Sequence, residues 1–349
     1  MFSSIGPTVG RPLNINQSAR RGALERTVET CTANTPFRLR ARRNVEVVDN
    51  RDEVREFLTS RRAKITPEQA GLPPGSKRRV PGLRRGEVAL LANMSVEYYS
   101  RLERGSLGGV SESVIDAVAK ALQLDEAERT YLFDLARAAN RSPEARPRRK
   151  TSAQWTPRPS LRHTLDAISA PAFVRNGRMD ILAANQFGHA FYSDAFAAPE
   201  RPANLARFAF LDVERAGRFY PNWEATADIT VAILRTEAGR DPHDKALHDL
   251  IGELSTRSDE FRIRWAGHNV RLHGSGVKRF HHAVVGELDL AYESMELTTE
   301  PGLTLTVYTA EPASPSDERL RLLASWSTAE QANRRSSESN TTGPTRDVP

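Results

Sequence analysis

The chain has 349 residues, of which 39% are hydrophobic and 27% charged, a composition that supports about two packed domains and excludes a wholly disordered chain. No stretch of about 18 uncharged apolar residues occurs, so neither a transmembrane helix nor a membrane partner is expected. The single cysteine, Cys31, excludes an intrachain disulfide framework and fits a reducing cytoplasm. The formal net charge of +6 is unevenly placed: residues 1–150 hold 28 basic and 18 acidic side chains, whereas the remainder hold 22 and 26. Only the first part is expected to meet a polyanion.

Residues 1–50 mix Ser, Thr, Asn, Pro and Arg without a period of 3.6 or 2, and they read as a disordered extension or as translated sequence upstream of the true start. From Asp52 the pattern changes. Val54, Phe57 and Leu58 repeat at helical spacing and end before Pro67. A loop with Pro73-Pro74-Gly75 and the basic run Lys77-Arg78-Arg79 follows, then four helical stretches at about 84–93, 96–104, 112–123 and 125–139. Asp125 and Glu128 have capping-box spacing. Residues 141–159, with several prolines and Arg148-Arg149-Lys150, read as a linker.

Beyond Ser160 the texture is mixed. Ala172-Phe-Val-Arg, Asn176-Gly177 and Arg178 to Ala183 predict a hairpin, because Asn-Gly tolerates the positive φ angles of a type I′ turn. Helices are expected at 186–196, 222–238, 242–256 and 316–326. Extended runs are expected at 269–273, 277–281, 286–298 and 303–310, and a disordered tail at 328–349. No internal repeat is evident.

The stretch EVALLANMSVEYYSRLERG carries the strongest functional signal. Ala89 is the small residue for a close helix crossing, Asn93 suits the left-handed turn position, and Ser95 suits the cap of the next helix. Ser95, Tyr99 and Leu102 are expected inward, while Glu97, Tyr98, Arg101 and Arg104 face out toward base edges and phosphates. The alternative is a solvated helix of an ordinary bundle. Over about residues 52–140 the sequence resembles the XRE (Cro/repressor-like) helix-turn-helix regulators, a five-helix module. That resemblance implies that Val96 to Arg104 enters the major groove of double-stranded DNA. It makes Lys77, Arg78, Arg79, Arg84 and Arg85 phosphate-contact candidates and Ser95 a further interface residue.

Residues 171–327, with PAFVRNGRMDILAAN, ATADITVAILRTEAGRDP and GVKRFHHAVVGELDLAYE among their motifs, look like the MmyB-like ligand-binding domain. The resemblance implies an α+β chain: an all-α helix-turn-helix domain at 51–140, then a PAS-like domain at 160–327 with an antiparallel sheet and flanking helices. It also implies a hydrophobic, fatty-acid-like small-molecule effector. An apolar tail needs an apolar tunnel and a carboxylate head needs cationic or hydroxyl donors. Phe173, Ile181, Phe187, Phe191, Phe261 and Trp265 are the apolar candidates; Asn185, Tyr192, Arg264, His268, Arg271 and His273 are the polar ones. Each also has an ordinary core or structural reading.

Enzyme chemistry has little support. The histidines lack metal-ligand spacing, Cys31 lies in the irregular N-terminal segment, and no GxSxG, P-loop or Rossmann pattern stands out, so no cofactor or metal is expected. The reading is a cytoplasmic, homodimeric DNA-binding regulator whose C-terminal domain senses a small molecule. The alternative reserves that domain for dimerisation or a protein partner.

Overall fold

The computed structural model describes residues 50–73, 80, 82–141, 155–271 and 274–341, with side chains described to Ala329. Five helices come first: α1 (Asn50–Lys64), α2 (Arg85–Leu91), α3 (Val96–Glu103), α4 (Glu112–Ala121) and α5 (Glu126–Asn140). In α1 the acidic Asp52 and Glu53 sit in the first turn and Arg61, Arg62 and Lys64 in the last, the order that complements the helix dipole. Val54, Phe57 and Leu58 form its buried stripe. The Asp125–Glu128 capping box starts α5, each side chain accepting from the other residue's backbone N–H, at 2.8 and 3.2 Å. These helices close over one core that includes Leu83, Tyr99, Leu102, Ile115 and Leu132.

The C-terminal region begins with α6 (Pro159–Ala167), β1 (Ala172–Asn176) and β2 (Ile181–Ala184). Six helices follow: α7 (Gln186–Phe191), α8 (Ser193–Phe196), α9 (Leu205–Leu211), α10 (Val213–Phe219), α11 (Trp223–Arg240) and α12 (Lys245–Arg257). Then come α13 (Asp259–Ala266), β3 (Ser275–His282), β4 (Gly286–Glu296), β5 (Leu303–Thr309) and α14 (Pro315–Thr341). The strands form one antiparallel sheet in the order β2-β1-β5-β4-β3. Its two faces are covered differently. Ala172, Val174, Ala183 and Leu305 pack against Leu161 and Leu165 of α6, whereas the opposite face joins an aromatic core with Phe191, Phe219, Phe280 and Tyr308. Burying each such ring contributes about 2–3 kcal/mol, which makes this second face the main stabilising layer.

The α+β organisation expected from the sequence is present; several local expectations are not. The hairpin does not use positive φ at Asn176-Gly177: the left-handed residue is Met179, at φ 66°, after a turn closed by Met179 N–H to the Asn176 carbonyl at 3.0 Å. This is a three-residue loop with a left-handed last position, and the register shift between Val174 and Arg175 goes with it. Gly177 is needed for another reason, because a Cβ there would lie 2.1 Å from the Glu237 carboxyl carbon.

The helix expected at 186–196 breaks at Tyr192, whose ring enters the core. Short helices α9, α10 and α13 escaped the periodicity reading because a helix of seven or eight residues shows barely two turns. Residues 269–271 form no strand, and Val270 plugs into the core of helices α1–α5. The last helix continues through residues 328–341, where a disordered tail was expected; Ala, Glu, Gln and Arg propagate a helix already nucleated upstream. The readings of residues 1–49 and 142–154 lie outside the described residues.

Candidate functional site

The turn between α2 and α3 follows from its side chains. Asn93 takes φ 51°, and the Ser95 hydroxyl caps α3 by accepting the Tyr98 N–H at 3.1 Å. Tyr99 and Leu102 are fully buried, so the opposite face of α3 looks outward: Glu97, Arg101 and Arg104 are exposed. Ser95, expected inward, is exposed, because a capping hydroxyl sits at the helix end beside its backbone partner. Tyr98 is half-buried under the Arg101 guanidinium, 4.8 Å from the ring centroid, which holds Arg101 against the helix surface. Val96, which the sequence reading passed over, is 44% exposed at the start of α3.

Beneath α3, the buried Glu103 carboxylate accepts from Arg62 Nε at 2.8 Å, Arg62 Nη2 at 2.9 Å and Arg85 Nε at 2.9 Å. Burial pushes this carboxyl up, but the Arg62 and Arg85 hydrogen bonds and charges outweigh it and hold its pKa below the ordinary value. Three helices are thereby tied to one charge. Arg85 is consequently an ion-pair partner with a half-exposed guanidinium, while Arg84 is exposed at the start of α2 and Glu87 accepts its backbone N–H at 2.7 Å. Lys77, Arg78 and Arg79 lie outside the described residues.

In the C-terminal region the sequence-derived effector residues do not converge. Asn185 is the cap of α7: its amide oxygen accepts from Ala172 N–H and Gly188 N–H, and its NH2 donates to the Ile168 and Ala170 carbonyls, all within 3.1 Å. Its hydrogen-bonding capacity is taken up inside the fold. Phe261 is fully buried against Phe210 and Trp265. Arg264 is held by Asp228 and Glu260 over the Trp223 ring. Trp265 stacks on Phe261 beneath Arg235 of α11, His268 meets Glu53 and Glu56 of α1, and His273 lies outside the described residues. Ile181, Phe187 and Phe191 belong to or pack on the core.

Among the described residues, two hollows beside the sheet share Arg175 and Ile233 as a common wall. The inner one is a slot of about 20 Å3 between the sheet and α11, lined by Phe173, Tyr192, Tyr220, Thr230, Lys278 and Tyr308 among others. The outer one is a cleft of about 260 Å3 between α5, α11 and the ends of β1, β4 and β5, lined by residues that include Ala127, Thr130, Glu237 and Arg271. Phe173, Tyr192 and Arg271 are therefore the three sequence-derived candidates that line one of these hollows.

The slot's polar lining is unusual. Tyr192 and Tyr308 hydroxyls meet at 2.8 Å, and burial raises both, Tyr308 to about 12. Arg175 is 7% exposed and donates to the Asn176 carbonyl at 3.3 Å, and burial lowers its pKa. Lys278 sits over the Tyr292 ring at 5.1 Å, and burial together with the Arg175 charge lowers it to about 8. The sequence reading missed both. The available signals were an arginine inside the apolar run AFVRN, and a lysine in phase with the inward Phe280 and His282.

The two regions also meet. Arg235 of α11, fully buried, donates to Glu53 of α1 and stacks 4.1 Å from the Trp265 ring centroid, while Tyr131 of α5 donates to the same carboxylate at 2.6 Å. Arg61 donates to the His268 carbonyl, and Arg240 pairs with Asp134 at 3.2 Å. Glu53, Glu56 and His268 bring donor atoms within 4.8 Å of one another, a spacing a metal ion accepts. Arg235 Nη1, which reaches both Glu53 and His268 Nδ1, places a cation in that position already.

Residues 157–323 match the family model described as the MmyB-like transcription regulator ligand binding domain, and residues 38–132 match that of a helix-turn-helix domain. No curated protein matches the chain. No helix among the described residues is long and apolar enough to cross a membrane. The exposed face of α3 and the cation-lined slot thus fall inside the two matched segments, and the chain joins a helix-turn-helix domain to an MmyB-like ligand-binding domain, the architecture of a ligand-sensing transcription regulator.

Proposed function

We propose that this protein is a sequence-specific regulator that works in the cytoplasm as a homodimer, with residues 51–140 reading DNA and residues 160–327 sensing a hydrophobic, fatty-acid-like effector. The observation that carries the DNA reading is the capped α3, whose buried side is Tyr99 and Leu102 and whose outward side is Glu97, Arg101 and Arg104. Arg101 suits a guanine edge, Glu97 a cytosine amine and Val96 a thymine methyl. Lys77, Arg78, Arg79 and Arg84 are assigned to phosphates, with Arg85 holding Glu103 and reaching the backbone with its exposed end. Two copies would span half-sites about one helical turn apart.

The effector reading is supported by the aromatic and aliphatic lining of the slot, with Arg175, Lys278 and the tyrosine hydroxyls beside it. The effector acts by binding one arrangement of the C-terminal region more tightly and so changing the disposition of two DNA-reading helices. Selection from a randomised duplex pool, followed by fluorescence anisotropy on the selected duplex, tests the first part. Recovery of no consensus, or equal affinity for selected and random duplexes, would sink it. If fatty acids at saturation leave that affinity unchanged, the C-terminal region serves dimerisation or a protein partner instead.

A further inference from the structure

The outer cleft has the room that the slot lacks. It offers about 260 Å3 between α5, α11 and the strand ends, just below the usual range of about 300–1,000 Å3 for ligand pockets. At the roughly 30 Å3 that one water takes up in the liquid, about nine heavy atoms fill it. Three of its hydroxyls are already committed within the fold: Tyr131 donates to Glu53 at 2.6 Å, Thr236 donates to the Ala232 carbonyl at 2.9 Å, and Ser294 shares a hydrogen bond with Thr306 at 3.1 Å. A sugar, which needs many such partners, is poorly served here.

Charge is what remains to recognise a ligand. Arg271, which precedes β3, and Glu296, at the end of β4, both line the cleft and are both exposed. Among the described residues neither makes an ion pair within 4 Å, with the other or with any third group. Arg240 is different, being held by Asp134 at 3.2 Å. Arg175, nine-tenths buried, adds positive charge to the inner wall and also has no carboxylate within 4 Å among the described residues. A lone anion in this cleft would answer the arginines and leave Glu296 unmatched, and a lone cation would do the reverse. A molecule that carries both charges gains charge-assisted hydrogen bonds at each end.

We infer that the outer cleft binds a compact zwitterion of the free α-amino-acid class, its carboxylate held by Arg271 and its ammonium by Glu296. The body of the molecule lies against Ala127 and Thr130 of α5 and Ile233 and Thr236 of α11, which favours a small aliphatic side chain. This ligand is a second one, in a different hollow from the fatty-acid-like effector, and it does not rest on that reading. Because α5 belongs to the helix-turn-helix half and α11 to the C-terminal region, the bound amino acid is a further tie between them and stabilises their docked arrangement.

The test uses the full chain without DNA, with L-leucine as the probe, read by calorimetry and thermal shift. The comparison compounds are 4-methylpentanoate, which lacks the ammonium, and 3-methylbutylamine, which lacks the carboxylate. L-Leucine is expected to bind and raise the melting temperature, and each comparison compound to bind at least tenfold more weakly. Arg271→Gln and Glu296→Gln change exposed side chains, so each should keep the ligand-free melting temperature of the wild type while weakening L-leucine at least tenfold. Ala127→Trp, which fills the cleft from α5, should weaken it as much with a wild-type circular dichroism spectrum. Failure of L-leucine to bind, either comparison compound binding as tightly as L-leucine, or unchanged L-leucine binding in any of the three variants would overturn the inference.

Discussion

Arg235 of α11 donates to the Glu53 carboxylate of α1 at 2.5 Å, and both groups are buried between the two halves of the molecule. The pair joins residues 182 positions apart, and Tyr131 and His268 complete its surroundings. Removing one partner leaves the other as an uncompensated buried charge. Glu53→Gln or Arg235→Met should therefore cost about 3–5 kcal/mol by urea unfolding, whereas the double variant Glu53→Leu/Arg235→Met should lose clearly less than the sum. Additive losses would show that the pair is not coupled.

The same carboxylate sets an acid limit. Burial pushes Glu53 up, but the Arg235 charge and the hydrogen bonds from His268 and Tyr131 outweigh it and hold it near 2, below its ordinary 4.5. A depressed carboxyl contributes stability that is complete above pH 4.5 and lost as pH falls toward 2, here up to about 3 kcal/mol. Lys278 acts at the other end. Its pKa of about 8, below the ordinary 10.5, makes stability rise as pH increases from 8 to 10.5, because the unfolded chain then holds the extra proton. Melting temperatures measured across pH 2–10.5 should flatten in the acid range for Glu53→Gln and in the alkaline range for Lys278→Gln.

Helices α5 and α11 touch closely at a glycine. A Cβ on Gly239 would lie 2.4 Å from the Tyr131 ring, whose hydroxyl is fixed on Glu53. Gly239→Ala should destabilise by about 1–3 kcal/mol through overpacking, despite the better helix propensity of alanine. A stabilising substitution would show that the two helices separate readily.

Asn185 distinguishes a structural from an effector role. With its amide capping α7 and tying it to the loop before β1, Asn185→Ala should lose about 2 kcal/mol or more of stability. Fatty-acid affinity, measured below the lowered melting temperature, should stay near wild type.

Arg101→Ala should lower affinity for the selected duplex by about 1–3 kcal/mol and relax preference at one base pair, since Arg101 lies on the outward face of α3. Arg78→Ala should weaken selected and random duplexes alike and lower the salt slope by about one unit or less. Equal effects of the two substitutions would reverse their roles.

The sequence by itself determined what depends on near neighbours. The stripe Val54-Phe57-Leu58, the left-handed Asn93, the Ser95 cap and the Asp125–Glu128 box each involve residues within one or two turns, and all four are present in the structure. The tertiary structure alone decided which distant side chains share a space. Arg175 and Lys278 lie about a hundred positions apart and flank one slot because β5 and β4 are inserted between β1 and β3 in the sheet. Asn185, legible as a ligand group, became a cap because the chain turns from β2 into α7 there. Arg235 reads in sequence as one more charge on a long helix. Its partner on α1 exists only once both cores have formed and the two halves have packed, a choice made by long-range burial that no local pattern records.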